Sequence, residues 1–336
     1  MKLVFTICSI NYLAQAKSLG ESILAFNPNY CFKIVLVDKI IPLLNLSEKI
    51  PFEIIEAEKL GIAEFTKMCS QYNVTELNTA VKPFAFDYFF NHHPEYSTAI
   101  YFDPDILVYE QLIELEESLV ENDIILTPHI TKPIEDLFSP QETDFLNSGL
   151  YNLGFIALKK TENSSNFLSW WMNRLKDHCR IDFLNGLFVD QLWINFVPLF
   201  FKKVHILRNP GYNMAYWNLH ERKLSFSNEK YVVNESYPLI FFHFSGYKID
   251  KPYALSVYQN RFNFNSRPDL TELFIQYSKI ISKNLHEEFS KIPCHYSSIE
   301  KNKLPSTLEK KSSRLIFKKK LSSLTNYFSY YLKNKF

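Results

Sequence analysis

Residues 98–105 read Thr-Ala-Ile-Tyr-Phe-Asp-Pro-Asp, an apolar run that stops on two carboxylates with a proline between them. The β-branched and aromatic residues of 98–102, bounded by polar turn formers, predict a short buried strand. Pro104 bends the chain where the strand ends, so Asp103 and Asp105 can turn towards one point. Two carboxylates at one point suit a hard divalent cation such as Mg²⁺ or Mn²⁺, with positions left for phosphate oxygens. Asp-Pro and Pro-Asp are also common turn dipeptides, so a plain surface turn is the competing reading.

Upstream, residues 2–8 (KLVFTIC) read as a buried strand and 12–26 as a helix stopped by Asn27-Pro28. Residues 33–38 and 52–55 read as further strands, and Pro83 opens a helix that leads into 98–102. Strand–helix alternation of this kind predicts an α/β fold with a mostly parallel sheet and helices on both faces. Ligands of such sheets bind at the carboxyl ends of the strands. Ser9, Asp38 and Asp103 fall at those ends. Downstream, 151–158 reads as a strand, 166–178 as a helix, 190–196 as helical and 238–244 as a strand that carries His243 near its end. The expected organisation is a catalytic domain over 1–265, capping helices over 266–304 and a basic aromatic tail over 305–336.

Composition narrows the function. Seven glycines, with neither GxGxxG nor GxxxxGK[ST], argue against a glycine-rich phosphate loop. Five scattered cysteines without a CxxC fit a reducing compartment better than a disulfide framework or a zinc site. No apolar run reaches the roughly 18–20 residues of a membrane-spanning helix. Ala14-Gln15-Ala16 resembles a signal-peptidase site, but Ser9 and Asn11 interrupt the apolar stretch before it, which favours a buried strand. Of the 37 Lys/Arg and 36 Asp/Glu, ten and one respectively fall in 301–336, so the body is acidic and the tail basic. Basic residues mixed with Leu, Phe and Tyr predict a tail that meets an anionic membrane surface, with a solvated tail as the alternative. The acidic body and the lack of a recognition motif argue against a nucleic-acid partner.

Other polar positions interrupt apolar patterns. His243 follows Leu239-Ile240-Phe241-Phe242 and precedes Phe244-Ser245-Gly246, so it can offer one nitrogen to a metal otherwise held by oxygen. A histidine satisfied at the edge of the core is the alternative. Lys248 and Lys251 follow as point charges for phosphate. Gly154, after Asn152-Leu153, marks a close approach or a bulge inside a strand. Asp190-Gln191 offers groups for sugar hydroxyls, or a helix cap. Residues 209–218, dense in Asn and aromatics, suit stacking on a sugar face, although Pro210-Gly211 is also an ordinary turn.

In chain order, the strand at 2–8, Asp103-Pro104-Asp105, Tyr151-Asn152-Leu153-Gly154, Asp190-Gln191 and His243-Phe244-Ser245-Gly246 with Lys251-Pro252-Tyr253 resemble glycosyltransferase family 8. That group includes the bacterial lipooligosaccharide galactosyltransferases and glycogenin, and the resemblance spans roughly residues 2–255. Residues 79–84 and 213–218 are similar to a bacterial branch associated with surface polysaccharides. The resemblance implies a GT-A fold with Asp103, Asp105 and His243 as ligands of Mn²⁺ (or Mg²⁺). It implies that Lys251, beyond Gly246, contacts the donor diphosphate. The gap from Gly246 is two residues longer than in the family, which makes Lys248 a rival. Asn152, Asp190 and Gln191 would face the donor sugar, with Gln191 below the anomeric carbon. Lys82 stands near a donor-binding arginine of the family, and Ser9 and Asn11 would lie beside uracil and ribose. The expected activity is metal-dependent transfer of a hexose from a UDP-sugar to a glycan or lipid-linked acceptor, with retention, in surface polysaccharide synthesis. The expected place is the cytoplasm, at the inner face of the plasma membrane. A nucleotidyltransferase and a non-catalytic carbohydrate-binding protein are the alternatives, and the first is weakened by the lack of a glycine-rich loop after residue 8.

Overall fold

Strict alternation builds the centre of the molecule. In the computed structural model, which describes residues 1–299, β1 (Lys2–Cys8) sends Leu3, Phe5 and Ile7 into one core and Val4 and Cys8 into the other. Further strands are β2 (Tyr30–Leu36), β3 (Glu53–Glu56), β4 (Thr98–Phe102), β5 (Ile106–Val108), β6 (Ile124–Pro128) and β7 (Tyr151–Lys159). Then come β8 (Ile181–Asp182), β9 (Leu187–Phe188), β10 (Val204–Ile206), β11 (Leu224–Ser227), β12 (Lys230–Val233), β13 (Tyr237–Pro238) and β14 (Phe241–His243). The main sheet runs β10-β6-β7-β4-β1-β2-β3. Its neighbours pair in parallel except at β7, which runs against both β4 and β6.

The helices are α1 (Leu13–Phe26), α2 (Leu46–Lys49), α3 (Phe65–Gln71), α4 (Val74–Ala80), α5 (Lys82–His92), α6 (Ile113–Glu121), α7 (Glu142–Ser148), α8 (Glu162–His178), α9 (Val197–Phe200), α10 (Thr271–Lys283) and α11 (His286–Phe289). α5 and α8 cover one core and α1 and α6 the other, so both faces of the sheet are clad as the alternation predicts. Phe5 packs edge-on against Phe86 of α5, with ring centroids 4.8 Å apart. α10 joins a third cluster, where Tyr277 stacks on Phe244 at 3.8 Å. Residues 1–299 form one compact unit; the tail at 305–336 lies outside the described residues, as do 300–304 of the capping segment.

Two predicted elements differ. The strand expected over 238–244 divides into β13 and β14, because Leu239 donates to Tyr231 O whereas Ile240 and Phe241 donate to Gly211 O. The helix expected over 190–196 is a 3-10 turn, Leu192–Phe196, that runs into α9. Asp190 and Gln191 precede it with both side chains buried.

The reversal of β7 decides where the site forms. Because Phe102 pairs with Phe155, the start of β7 lies beside the end of β4. Asn152 and Gly154 therefore reach the edge at which the parallel strands finish.

Candidate metal and donor site

After β4 the chain turns through Asp103-Pro104-Asp105, closed by Ile106 N–H donating to Asp103 O at 3.2 Å. It leaves the main sheet as β5, which pairs antiparallel with β14 and sets Ile106 opposite His243. Phe244 N–H donates to Asp105 O at 2.9 Å and locks that register. His243 Nε2 thereby stands 3.0 Å from Asp105 Oδ1 and 3.7 Å from Asp103 Oδ2. Ligand atoms of all three residues lie within 4.8 Å of one another.

The surroundings fit a divalent cation at that point. Tyr101 Oη donates to Asp103 Oδ1 at 2.5 Å, so Oδ2 is the oxygen turned towards the imidazole. Burial and the Asp103 carboxylate push the Tyr101 phenol well above its ordinary range, which keeps it a donor. Burial alone would lower His243, yet the carboxylates of Asp105 and Asp103 raise it. Two anions and one imidazole nitrogen are a donor set for Mn²⁺ or Mg²⁺, and the carboxylates are only partly covered, which leaves open coordination positions.

Gly154 makes this arrangement possible. A Cβ there would stand 2.4 Å from His243 Cε1 and 2.8 Å from Asn152 Oδ1. The close approach expected at this glycine is thus by the protein's own imidazole, and the register irregularity falls here too: Leu126 and Pro128 of β6 pair with Ile156 and Tyr151, so the extra residues, Gly154 among them, lie on β7.

A second polar group lies beneath. Lys82 Nζ donates to Asp190 Oδ2 at 2.5 Å and to Leu153 O at 2.7 Å, with both side chains almost fully buried. The ammonium also lies 4.3 Å from the centre of the Tyr101 ring. Burial raises the Asp190 carboxyl, and Lys82 opposes that rise. Val189, just before Asp190, has φ +39°, a strained conformation for a β-branched residue. Such strain persists where the surrounding structure enforces it.

Asn152 sits at the centre of the remaining network. Its Oδ1 accepts from Gly154 N–H and from Asn213 Nδ2, which fixes the amide and turns Nδ2 towards His129 Nε2 at 3.3 Å. His129 must accept there, so its proton is on Nδ1. Burial drives the His129 pKa down to about 3, so the ring is neutral. Gln191 Oε1 accepts from Leu153 N–H at 3.1 Å, and its Nε2 donates to Ser148 O at 2.8 Å.

His129 did not emerge from the sequence as part of this constellation; Tyr101 and Asn213 fell within stretches singled out there, without the hydrogen-bonding roles they have in the fold. A signal for His129 was present: it follows the apolar strand β6 as Asp103 follows β4, at the same edge of the sheet. The loop at 209–218 differs from the sugar-stacking platform expected of it. Tyr212, Asn213 and Trp217 are buried, and the Trp217 ring packs edge-on against both His243 and His129, with centroids 5.2 Å away in each case. These residues form the wall behind the site.

A cleft of about 640 Å³ opens beside Asp105, lined among others by Asn11, Tyr12, Gly246 and Lys248. Lys251 is outside that lining. Ser9 is buried, and its hydroxyl accepts from Asn78 Nδ2 at 3.2 Å. Asp38, at the end of β2, accepts the backbone N–H groups of Ile10, Lys39 and His295, so it anchors the turn that carries Asn11.

No family model matches the chain. The Bacillus subtilis (strain 168) protein YfnF, described as uncharacterized, is 27% identical over 253 residues that cover 73% of this chain and 81% of that one. YfnD of the same strain is 22% identical over 73% of this chain and 77% of that one. Among solved structures, the galactosyltransferase LgtC, determined with donor and acceptor sugar analogues, aligns over 87% of this chain and 98% of its own, with 15% identity and a TM-score of 0.49. The bifunctional glycosyltransferase WbbM aligns over 84% of this chain with 18% identity and a TM-score of 0.50, and the chain spans about half (51%) of its length. The likeness to WbbM and the order of the main sheet agree: this chain has the GT-A glycosyltransferase fold.

Proposed function

We propose that this protein is a metal-dependent glycosyltransferase that moves a hexose from a nucleotide diphosphate sugar, a UDP-sugar, to a glycan or lipid-linked acceptor in surface polysaccharide synthesis. The observation that carries the reading is the convergence of Asp103, Asp105 and His243 at the mouth of a cleft also lined by Lys248. These three residues would hold Mn²⁺ or Mg²⁺. A cation bound there neutralises charge on the diphosphate as the sugar–phosphate bond breaks.

The remaining work falls to the chain itself. Lys248 adds a positive charge to the cleft, which favours it over Lys251 as the diphosphate contact. Asn11 and Tyr12 line the same space and are suited to the nucleoside, with the neighbouring Ser9 holding the turn in place. Gly246, with φ +71°, permits the backbone turn that presents Lys248. Lys82 holds Asp190, Asn152 Nδ2 donates to Gln191 Oε1 at 3.4 Å, and Gln191 is held further by Leu153 N–H and Ser148 O, so a sugar beside them meets groups already oriented. The reaction proceeds with retention in this reading, and an inverted linkage in the product, seen by NMR, would refute that part. The protein acts in the cytoplasm at the inner face of the plasma membrane, aided by the basic tail at 305–336.

The test is a screen of UDP-sugars for Mn²⁺-dependent hydrolysis, which needs no acceptor. Hydrolysis of one donor by the native chain and its loss in Asp105→Ala is the expected result. Equal ligand binding by both proteins, with no hydrolysis by either, would favour a non-catalytic carbohydrate-binding role.

A further inference from the structure

Residues 181–201, which carry Asp190 and Gln191 into the site, present an apolar exterior. Leu184 and Leu199 are 89% and 77% exposed, and Phe183, Phe196 and Phe200 each expose roughly half of their surface. β9 touches both the turn at Phe183–Asn185 and the turn at Leu192–Phe196, which α9 continues, so these side chains belong to one region. Trp193, Trp170 and Phe200 extend it as neighbouring rings. Exposed apolar groups at this density mark an interaction surface.

The charges identify what covers it. The segment 181–201 contains no Lys or Arg and two carboxylates, Asp182 and Asp190. Asp190 is neutralised by Lys82, and Asp182 caps its own turn through Asn185 N–H and Nδ2. Immediately after it, Lys202 and Lys203 are exposed and make no ion pair among the described residues. Leucine and phenylalanine beside unpaired lysines match an anionic membrane interface: acyl carbon takes the apolar groups, and lipid phosphate takes the ammonium groups. We infer that this face docks on a bilayer rich in anionic headgroups. Only the consequence rests on the proposed function: docking by this segment would hold Asp190 and Gln191 close to the membrane and make the acceptor a lipid-linked glycan.

The four tryptophans allow a test in the full chain. Trp170, Trp171, Trp193 and Trp217 are the only ones, and none lies in 301–336. Phosphatidylglycerol–phosphatidylcholine vesicles with brominated acyl chains should quench the emission at least twofold more than phosphatidylcholine vesicles do. Trp193→Phe should reduce that quenching. Leu184→Ser/Leu199→Ser/Phe200→Ser should abolish it, and Lys202→Glu/Lys203→Glu should weaken it without touching the apolar groups. The lysine variant is decisive if the triple variant melts lower. Co-sedimentation with vesicles without quenching would assign binding to another part of the chain and overturn the inference. So would a dimer in light scattering that the triple substitution dissolves, because the occupant would then be a second copy. Quenching by a protein that hydrolyses no UDP-sugar would leave this surface standing and remove the proposed function.

Discussion

The Asp103–Asp105–His243 cluster and the Lys82–Asp190 pair are neighbours joined by Tyr101, yet they solve opposite electrostatic problems. The pair is 1% and 2% exposed and carries one charge of each sign, so each buried ion has its partner at 2.5 Å. The cluster brings two carboxylates, 31% and 21% exposed, against one imidazole, and negative charge remains in excess. A buried charge is stable only when compensated from within, whereas converging carboxylates near solvent await a cation from outside. The pair is therefore read as a positioning element and the cluster as a binding element.

The largest effect that tests this contrast should come from the pair. Lys82→Ala leaves Asp190 buried without its counter-ion and should cost about 3–5 kcal/mol in urea unfolding. Lys82→Met with Asp190→Leu should recover most of that loss. A single variant as stable as the native chain would show that Asp190 has another means of compensation.

The cluster should behave in reverse, gaining stability only from a ligand. Mn²⁺ at 100 times its dissociation constant should stabilise the native chain by about 2.7 kcal/mol. Asp105→Ala should abolish that gain while leaving the metal-free protein no less stable, which scanning calorimetry with and without chelator can read. Equal Mn²⁺ shifts in both proteins would place the ion elsewhere.

Gly154→Ala sharpens the comparison because its added methyl meets the cluster, through His243, and neither member of the pair. Its methyl would press on His243 and Asn152 and should cost about 1–3 kcal/mol, as overpacking does. It should also reduce the Mn²⁺ shift, whereas a substitution at the distant Gly61, whose added Cβ would meet nothing within 4 Å, should leave that shift intact.

The smallest effect is a pH dependence at His129. Folded His129 stays neutral down to about pH 3, whereas the unfolded imidazole protonates below its ordinary value of 6.5. Its stabilising contribution is thus complete above pH 6.5 and declines as the pH falls, by about 1.4 kcal/mol at one unit below. His129→Gln should flatten that slope in urea titrations between pH 7 and 5.

Much of the sheet was legible because a buried strand needs an apolar run and a stop, both local in sequence. β1 was read to the residue, and β4 ended on Asp103 as expected. Asp190 was visible as a polar interruption and Lys82 through the family resemblance, but not their pairing: 108 residues separate them, and only the packing of α5 under β7 joins them. Lys82 was read as a donor contact, while in the fold its ammonium faces Asp190 and Leu153 O. The aromatics of 209–218 were legible as a cluster, but whether they face a ligand or the core depends on what packs against them, and Trp217 packs against two histidines.

By itself the sequence determined the alternation of strands and helices, the end of β4 on Asp103-Pro104-Asp105 and the acidic body with its basic tail. Each of these rests on residues within one turn or one strand of each other, or on composition alone. Tertiary structure decided the reversal of β7, the ladder between β5 and β14 that brings His243 to Asp105 and the face on which 181–201 exposes its leucines and phenylalanines. Those are pairings between distant segments, and their register is chosen by the burial of the whole core rather than by any local preference.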